Sequence, residues 1–259
     1  MRIYLLAGLT LSLLSCNSSS KKNSAAEARD DTARMNDPHY VVSISTTKIT
    51  VADLPASIKI KGQVQDAWKW NDNLGENIFI TSAVLPYDDK RKDEYGEEGQ
   101  TAELHAVHYA KKEGDYVQVW TMNEEERSCP FDLTCNFIPG SSTVTDLDRD
   151  GIAEIKIQYI IACRSDVSPA VMKLALYENG TKYALTGNTW LPYTAASRFD
   201  ITEANVDLEK LPEERDETPV MPRAFGRYET EKDFASAPAS FLPYARTEWI
   251  RYVKEKMGE

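Results

Sequence analysis

The run Asp146-Leu147-Asp148-Arg149-Asp150-Gly151-Ile152-Ala153-Glu154 sets carboxylates at positions 1, 3, 5 and 9 of a loop, with glycine at position 6. A glycine there permits a sharp turn, because it alone takes positive φ without steric cost. Calcium prefers roughly six to eight oxygen ligands from flexible carboxylates and carbonyls. Asp146, Asp148, Asp150 and Glu154 offer the carboxylates and Ile152 a backbone carbonyl, so the run is a candidate calcium loop. An ion held by so many protein ligands has little room for substrate, so its expected role is structural. It would neutralise repulsion among the carboxylates and pin the hairpin leading into the next strand. A metal-free acidic turn, in which Asp and Gly merely satisfy local backbone geometry, is the competing reading.

An EF-hand would need a bidentate Glu at position 12, where this chain has Ile157, and a helix after the loop. IKIQYII follows instead and reads as a strand. The spacing resembles the calcium loop between two strands of integrin-like β-propeller repeats, although one copy is not a propeller.

Cys16 is the second residue whose chemistry stands out. Before it lie Arg2, an apolar stretch from Ile3 to Leu14, and Ser15. That is the pattern of a secretory signal, and it is short of the about 20 apolar residues that span a bilayer. LLSC, Leu13 to Cys16, resembles the bacterial lipobox and implies cleavage before Cys16 and acylation of its thiol. Multiple acyl chains make such attachment stable, because each buried methylene contributes about 0.8 kcal/mol. Asn17 stands where an inner-membrane retention signal usually has Asp, which favours the outer membrane, with the protein facing the periplasm or the cell surface. Residues 1–15 are thus the expected signal peptide and 16–38 a polar tether reaching about 25 Å, followed by a single domain over 39–259.

Cys129, Cys135 and Cys163 remain. In an oxidising compartment a bridge is expected and an odd count leaves one thiol over, but spacing does not choose among the three pairs. His105 and His108 are three apart in an expected strand and therefore point to opposite faces. Trp68 and Trp70 share one face, where core packing competes with a platform for sugar rings. No Gly-rich phosphate loop, nucleophile elbow or helical zinc-ligand pair occurs. Carboxylates are plentiful, and no two are marked as a glycosidase pair.

Strand character recurs over Val41–Ile49, Ser57–Trp70, Asn77–Val84, Ala102–Ala110, Tyr116–Met122, Ala153–Ala162, Val171–Tyr177 and Lys182–Leu185. Asn179-Gly180 predicts a tight hairpin, since both central positions of that turn need positive φ. Lys112-Glu113-Gly114-Asp115 predicts another. The charge-dense DDKRKDEYGEEG between Tyr87 and Gln100 reads as a solvated hairpin loop, Leu208–Pro222 as irregular, and Pro243–Lys256 as an amphipathic helix covering the sheet. The expected class is mainly β (α+β), an antiparallel meander with a C-terminal helix. Hydrophobic content of 42% suffices for one packed domain. Loss of the signal removes Arg2 and takes the formal charge from −11 to −12, which disfavours nucleic acid as a partner.

The stretch from Thr143 to Gly187, with WKWNDNLGENIFI (Trp68–Ile80), AELHAVHY (Ala102–Tyr109), FIPGS from Phe137 and FLPYARTEW ending at Trp249, resembles lipoproteins of Bacteroidota-type bacteria known as surface polysaccharide biosynthesis proteins. The resemblance implies that Cys129 in CPFD pairs with Cys163 in ACRSDVSP and that Cys135 departs from the pattern. It supplies no catalytic residues. The expected function is a non-enzymatic, lipid-anchored binding or scaffolding protein engaging surface glycan or envelope proteins. The alternative is a carbohydrate-active, glycoside-hydrolase-like enzyme using unmarked carboxylates in an open cleft.

Overall fold

The computed structural model describes residues 42–92, 96–191, 200–212 and 223–255, all within the unit Val41–Glu259. The expected signal peptide, Cys16, the expected tether and His39 lie outside the described residues.

One sheet is an antiparallel meander built from consecutive segments: β2 (Thr47–Lys48), β3 (Gln63–Asp72), β4 (Gly75–Lys92), β5 (Glu98–Lys112) and β6 (Asp115–Cys129), adjacent in that order. The other contains β1 (Val42–Ser43), β8 (Thr143–Asp146), β9 (Glu154–Arg164), β10 (Val171–Glu178) and β11 (Thr181–Asn188), again adjacent as written. β9 outruns β8, so β7 (Asp132–Phe137) pairs with the far half of β9, from Tyr159 to Arg164. A mainly antiparallel β fold with one C-terminal helix is therefore established, as the periodicity predicted.

The sheets pack face to face over Trp70, Phe79, Leu104, Trp120 and Met122 from one and Ile155, Ile157, Tyr159 and Tyr177 from the other. The second sheet is covered on its outer face as well. There α1 (Phe241–Tyr252) buries Phe241, Tyr244, Ala245, Glu248 and Trp249, the spacing of one helical face. Each large side chain removed from water in this way contributes roughly 1.5–3 kcal/mol. That double coverage is why β9 reads IKIQYII. Its odd positions fill the sandwich, and its even positions, Lys156, Gln158 and Ile160, face the helix. Lys156 is fully buried, paired with Glu248 and set over the rings of Tyr244 and Tyr252 at 5.7 and 5.0 Å.

Both predicted hairpins form. Glu113 and Gly114 take φ of 53° and 99°, and Asn179 and Gly180 take 40° and 88°, with Lys112 opposite Asp115 and Glu178 opposite Thr181. Other boundaries differ from the sequence reading. Val41–Ile49 is not one strand: β1 and β2 lie in different sheets, so this segment crosses between them. The strand expected from Ser57 starts at Gln63, while Ile58 covers the outer apolar face of the meander with Ala67, Ile78 and Ile80. DDKRKDEYGEEG is largely strand, not loop: Asp88 pairs with Gln100, Asp89 with Gly99 and Lys92 with Glu98, and residues 93–95 lie outside the description. The backbone ladder carries that extension beyond the apolar residues, with Asp89 satisfied by Arg91 and Thr101. The helix starts at Phe241, leaving Pro243 in the first turn, where a missing N–H costs nothing. It ends at Tyr252, because Trp190 takes over the next backbone groups through Val253 O and Glu255 N.

Candidate metal centre

The acidic run connects β8 to β9 at a position fixed by both strands. Asp146 ends β8, Glu154 begins β9, and Thr145 pairs with Glu154 across the ladder. Between them Asp148 Oδ1 accepts the Asp150 N–H at 3.3 Å and Asp150 Oδ1 accepts the Ile152 N–H at 2.7 Å, folding the loop back on itself. Gly151 takes φ +82°, as its place in the run predicted.

Glu154 is completely buried. Its Oε2 accepts from the Leu147 N–H at 2.8 Å and the Thr145 hydroxyl at 3.0 Å, while Oε1 has no partner. Asp146 Oδ1 is likewise buried and unpartnered. Solvent-excluded carboxylate oxygens without donors are costly unless a cation takes them up. Burial, followed by Asp148 and Glu178, pushes the Glu154 carboxyl up to about 8, and burial with Asp150 and Asp146 also raises Asp148.

Sequence reading missed one member of this group. Glu178, the last residue of β10, stands directly across the ladder from Glu154, and its Oε1 is also buried without a partner. Burial and then Asp148, Asp150 and Asp146 raise its carboxyl to about 7. Like charges directly opposite in an antiparallel pair repel. The Glu178-Asn179-Gly180-Thr181 turn marked the residue as a strand end, but only the register of β9 against β10 sets it beside the loop. Asp146, Asp148, Asp150 and Glu154 thus come together with Glu178, and the cluster could hold a metal ion. The donors are all carboxylate oxygens, the chemistry that suits a hard cation. Ile152 is joined to the loop through its backbone N–H.

The loop also docks on the meander. The Asn73 N–H donates to Gly151 O at 2.8 Å, Asn73 Nδ2 donates to Asp150 O at 2.9 Å, and the Ala153 N–H donates to Asp72 Oδ2 at 3.1 Å. Asp72 in turn accepts from Trp70 Nε1, the Leu74 N–H and Asn77 Nδ2. Because Asn77 Nδ2 donates to Asp72, its Oδ1 faces His108 and accepts the Nε2–H at 2.9 Å. His108 is buried and stacks on Trp70.

The remaining candidates separate cleanly. His105 lies on the other face of β5, between Asn123 and Glu103. Trp68 and Trp70 both pack into the sandwich, Trp68 partly buried. Cys129 and Cys163 form a disulfide, and Cys135 is a buried free thiol whose pKa burial raises to about 11. A hollow of about 450 Å³ beside Cys129 is lined by Asp88, Asp89 and Glu98 together with Gln100 and the exposed Phe131. Arg91 holds the Asp89 carboxyl well below the usual range, Glu98 takes Lys90 at 3.2 Å, and Asp88 accepts from Gln100 at 3.5 Å. Each carboxylate there is thus engaged by a neighbouring donor. Among the described residues no helix is long and apolar enough to cross a membrane. No protein-family model, no curated protein and no solved structure matches this chain.

Proposed function

We propose that this chain is a calcium-stabilised β-sandwich held at the bacterial outer membrane by lipid on Cys16, where it binds or scaffolds surface glycan or envelope proteins and does not turn them over. The observation that carries this reading is the convergence of five carboxylates at the β8–β9 turn, with oxygens of Asp146, Glu154 and Glu178 shielded from water and lacking any donor. Calcium is the cation that an all-oxygen, flexible, strongly anionic set favours. The site joins strands of one sheet to the turn of the other, which suits a structural ion. The LLSC run supports the anchor, and the resemblance of Thr143–Gly187 to polysaccharide-associated lipoproteins supports a glycan-related role. An aromatic face at Phe131, beside the carboxylate and amide edges of Asp88 and Gln100, supplies groups that engage sugar rings and their hydroxyls.

The test is thermal melting of the purified full chain in calcium and in chelator. At calcium about a hundred times its dissociation constant, the native state gains about 2.7 kcal/mol, which raises the melting temperature by roughly 5–10 °C for a domain of this size. Asp148→Ala abolishes the shift. Superimposable wild-type curves in calcium and chelator would rule the reading out, and a bare residue 16 in mass spectra of native material would remove the anchor.

A further inference from the structure

Resting on that reading of the loop, we propose that the centre takes two divalent cations: an inner one on Asp146, Asp148 and Glu154, and an outer one on Asp148, Asp150 and Glu178, with Asp148 bridging them. The five carboxylates do not gather around one point. Among the described residues they form two groups, and within each group one oxygen per residue lies within 4.8 Å of the others. Two oxygens bound to one calcium at about 2.4 Å stand at most about 4.8 Å apart. Each group therefore has the span of a single ligand sphere, and Asp148 alone belongs to both. A carboxylate has two oxygens, which is what a bridging ligand needs.

Orphaned oxygens point to a ligand in each group. In the inner group Glu154 is fully buried with Oε1 unpartnered, and the Oδ1 atom of the part-buried Asp146 is also shielded and unpartnered. In the outer group the shielded, unpartnered atom is Glu178 Oε1. Formal charge points the same way: with all five carboxylates ionised, one divalent ion leaves three negative charges uncompensated and two ions leave one. The two positions differ in access. Asp150 is exposed whereas Glu154 is sealed, so the outer ion completes its shell with water and exchanges more readily.

The experiment is a calcium titration of the purified full chain, read as bound ions per chain by equilibrium dialysis and by native mass spectrometry. Wild type binds two ions, the second at least about tenfold more weakly. Glu178→Gln and Asp150→Asn, changes at the open side of the centre, each lose the weaker ion and keep the tighter one. One ion in wild type overturns the second position and leaves the calcium-stabilised reading standing. No bound calcium overturns both. Two ions retained in Glu178→Gln removes Glu178 from the outer group and the proposal with it.

Discussion

Asn73 in the β3–β4 turn and Gly151 in the acidic loop link the two sheets through one backbone hydrogen bond of 2.8 Å. The contact is so close that a Cβ on Gly151 would lie 2.2 Å from Asn73 Nδ2. Through this contact the loop is continuous with Asp72, Asn77 and His108, a chain of polar groups running into the sandwich.

Gly151→Ala should therefore act twice. A side chain at φ +82° costs about 1–2 kcal/mol, and the displaced Asn73 loses its bond to Asp150 O. We expect a melting temperature several degrees lower and a smaller calcium response. Melting curves like those of wild type, with and without calcium, would contradict the close approach.

His108 should make the fold acid-sensitive. Burial lowers its pKa to about 4 from an ordinary 6.5, so between those values the unfolded chain binds the proton more readily than the native one. The sign follows directly: this contribution to stability is fully present above pH 6.5 and is lost as pH falls toward 4. At the foot of that window the loss reaches roughly 3 kcal/mol. Urea melts of wild type and His108→Gln across pH 4 to 7 report it as a difference in slope. Parallel profiles for the two proteins would exclude His108 as the source.

Lys156 and Glu248 form a buried pair between β9 and α1. Removing only the cation, in Lys156→Ala, leaves Glu248 in the interior with Arg251 as its remaining ion-pair partner. The expected cost is about 3–5 kcal/mol. Replacing both partners with apolar residues, Lys156→Met with Glu248→Leu, should restore most of that stability. A double variant no more stable than the single one would show that the pair is needed for more than its mutual neutralisation.

The Cys129–Cys163 bridge closes a separation of 34 residues, for which chain entropy gives about 3–4 kcal/mol. Cys129→Ser should lower the denaturation midpoint accordingly. In the native wild type, Cys135 should resist alkylation, because burial raises its thiol to about 11, and should react only on unfolding. Rapid modification of the folded chain would show that its burial is not maintained.

Local patterns in the chain determined a good deal by themselves. Asn179-Gly180 and Glu113-Gly114 demanded tight hairpins because those turns need positive φ. The apolar runs demanded strands, and the mixed pattern of Tyr244, Trp249, Ile250, Tyr252 and Val253 among charges marked an amphipathic helix over Pro243–Lys256, which the structure places at Phe241–Tyr252. The Asp146–Glu154 spacing marked a carboxylate cluster that could hold a cation, because those residues are close neighbours in sequence. His105 and His108 were separated by strand periodicity alone. The short strands β1, β2, β7 and β8 were less visible, since each is held by partners distant in the chain and has too few residues to show a period.

Tertiary structure decided which sheet each strand joined, and so why β9 is buried on both faces. It also brought Glu178 opposite Glu154 and Asn73 against Gly151. Strand register is set by pairing energies summed across the whole ladder and by the packing of one sheet on the other, quantities that no local window contains. Short-range sterics wrote the loop into the sequence, while long-range pairing supplied its fifth carboxylate and the surface on which it rests.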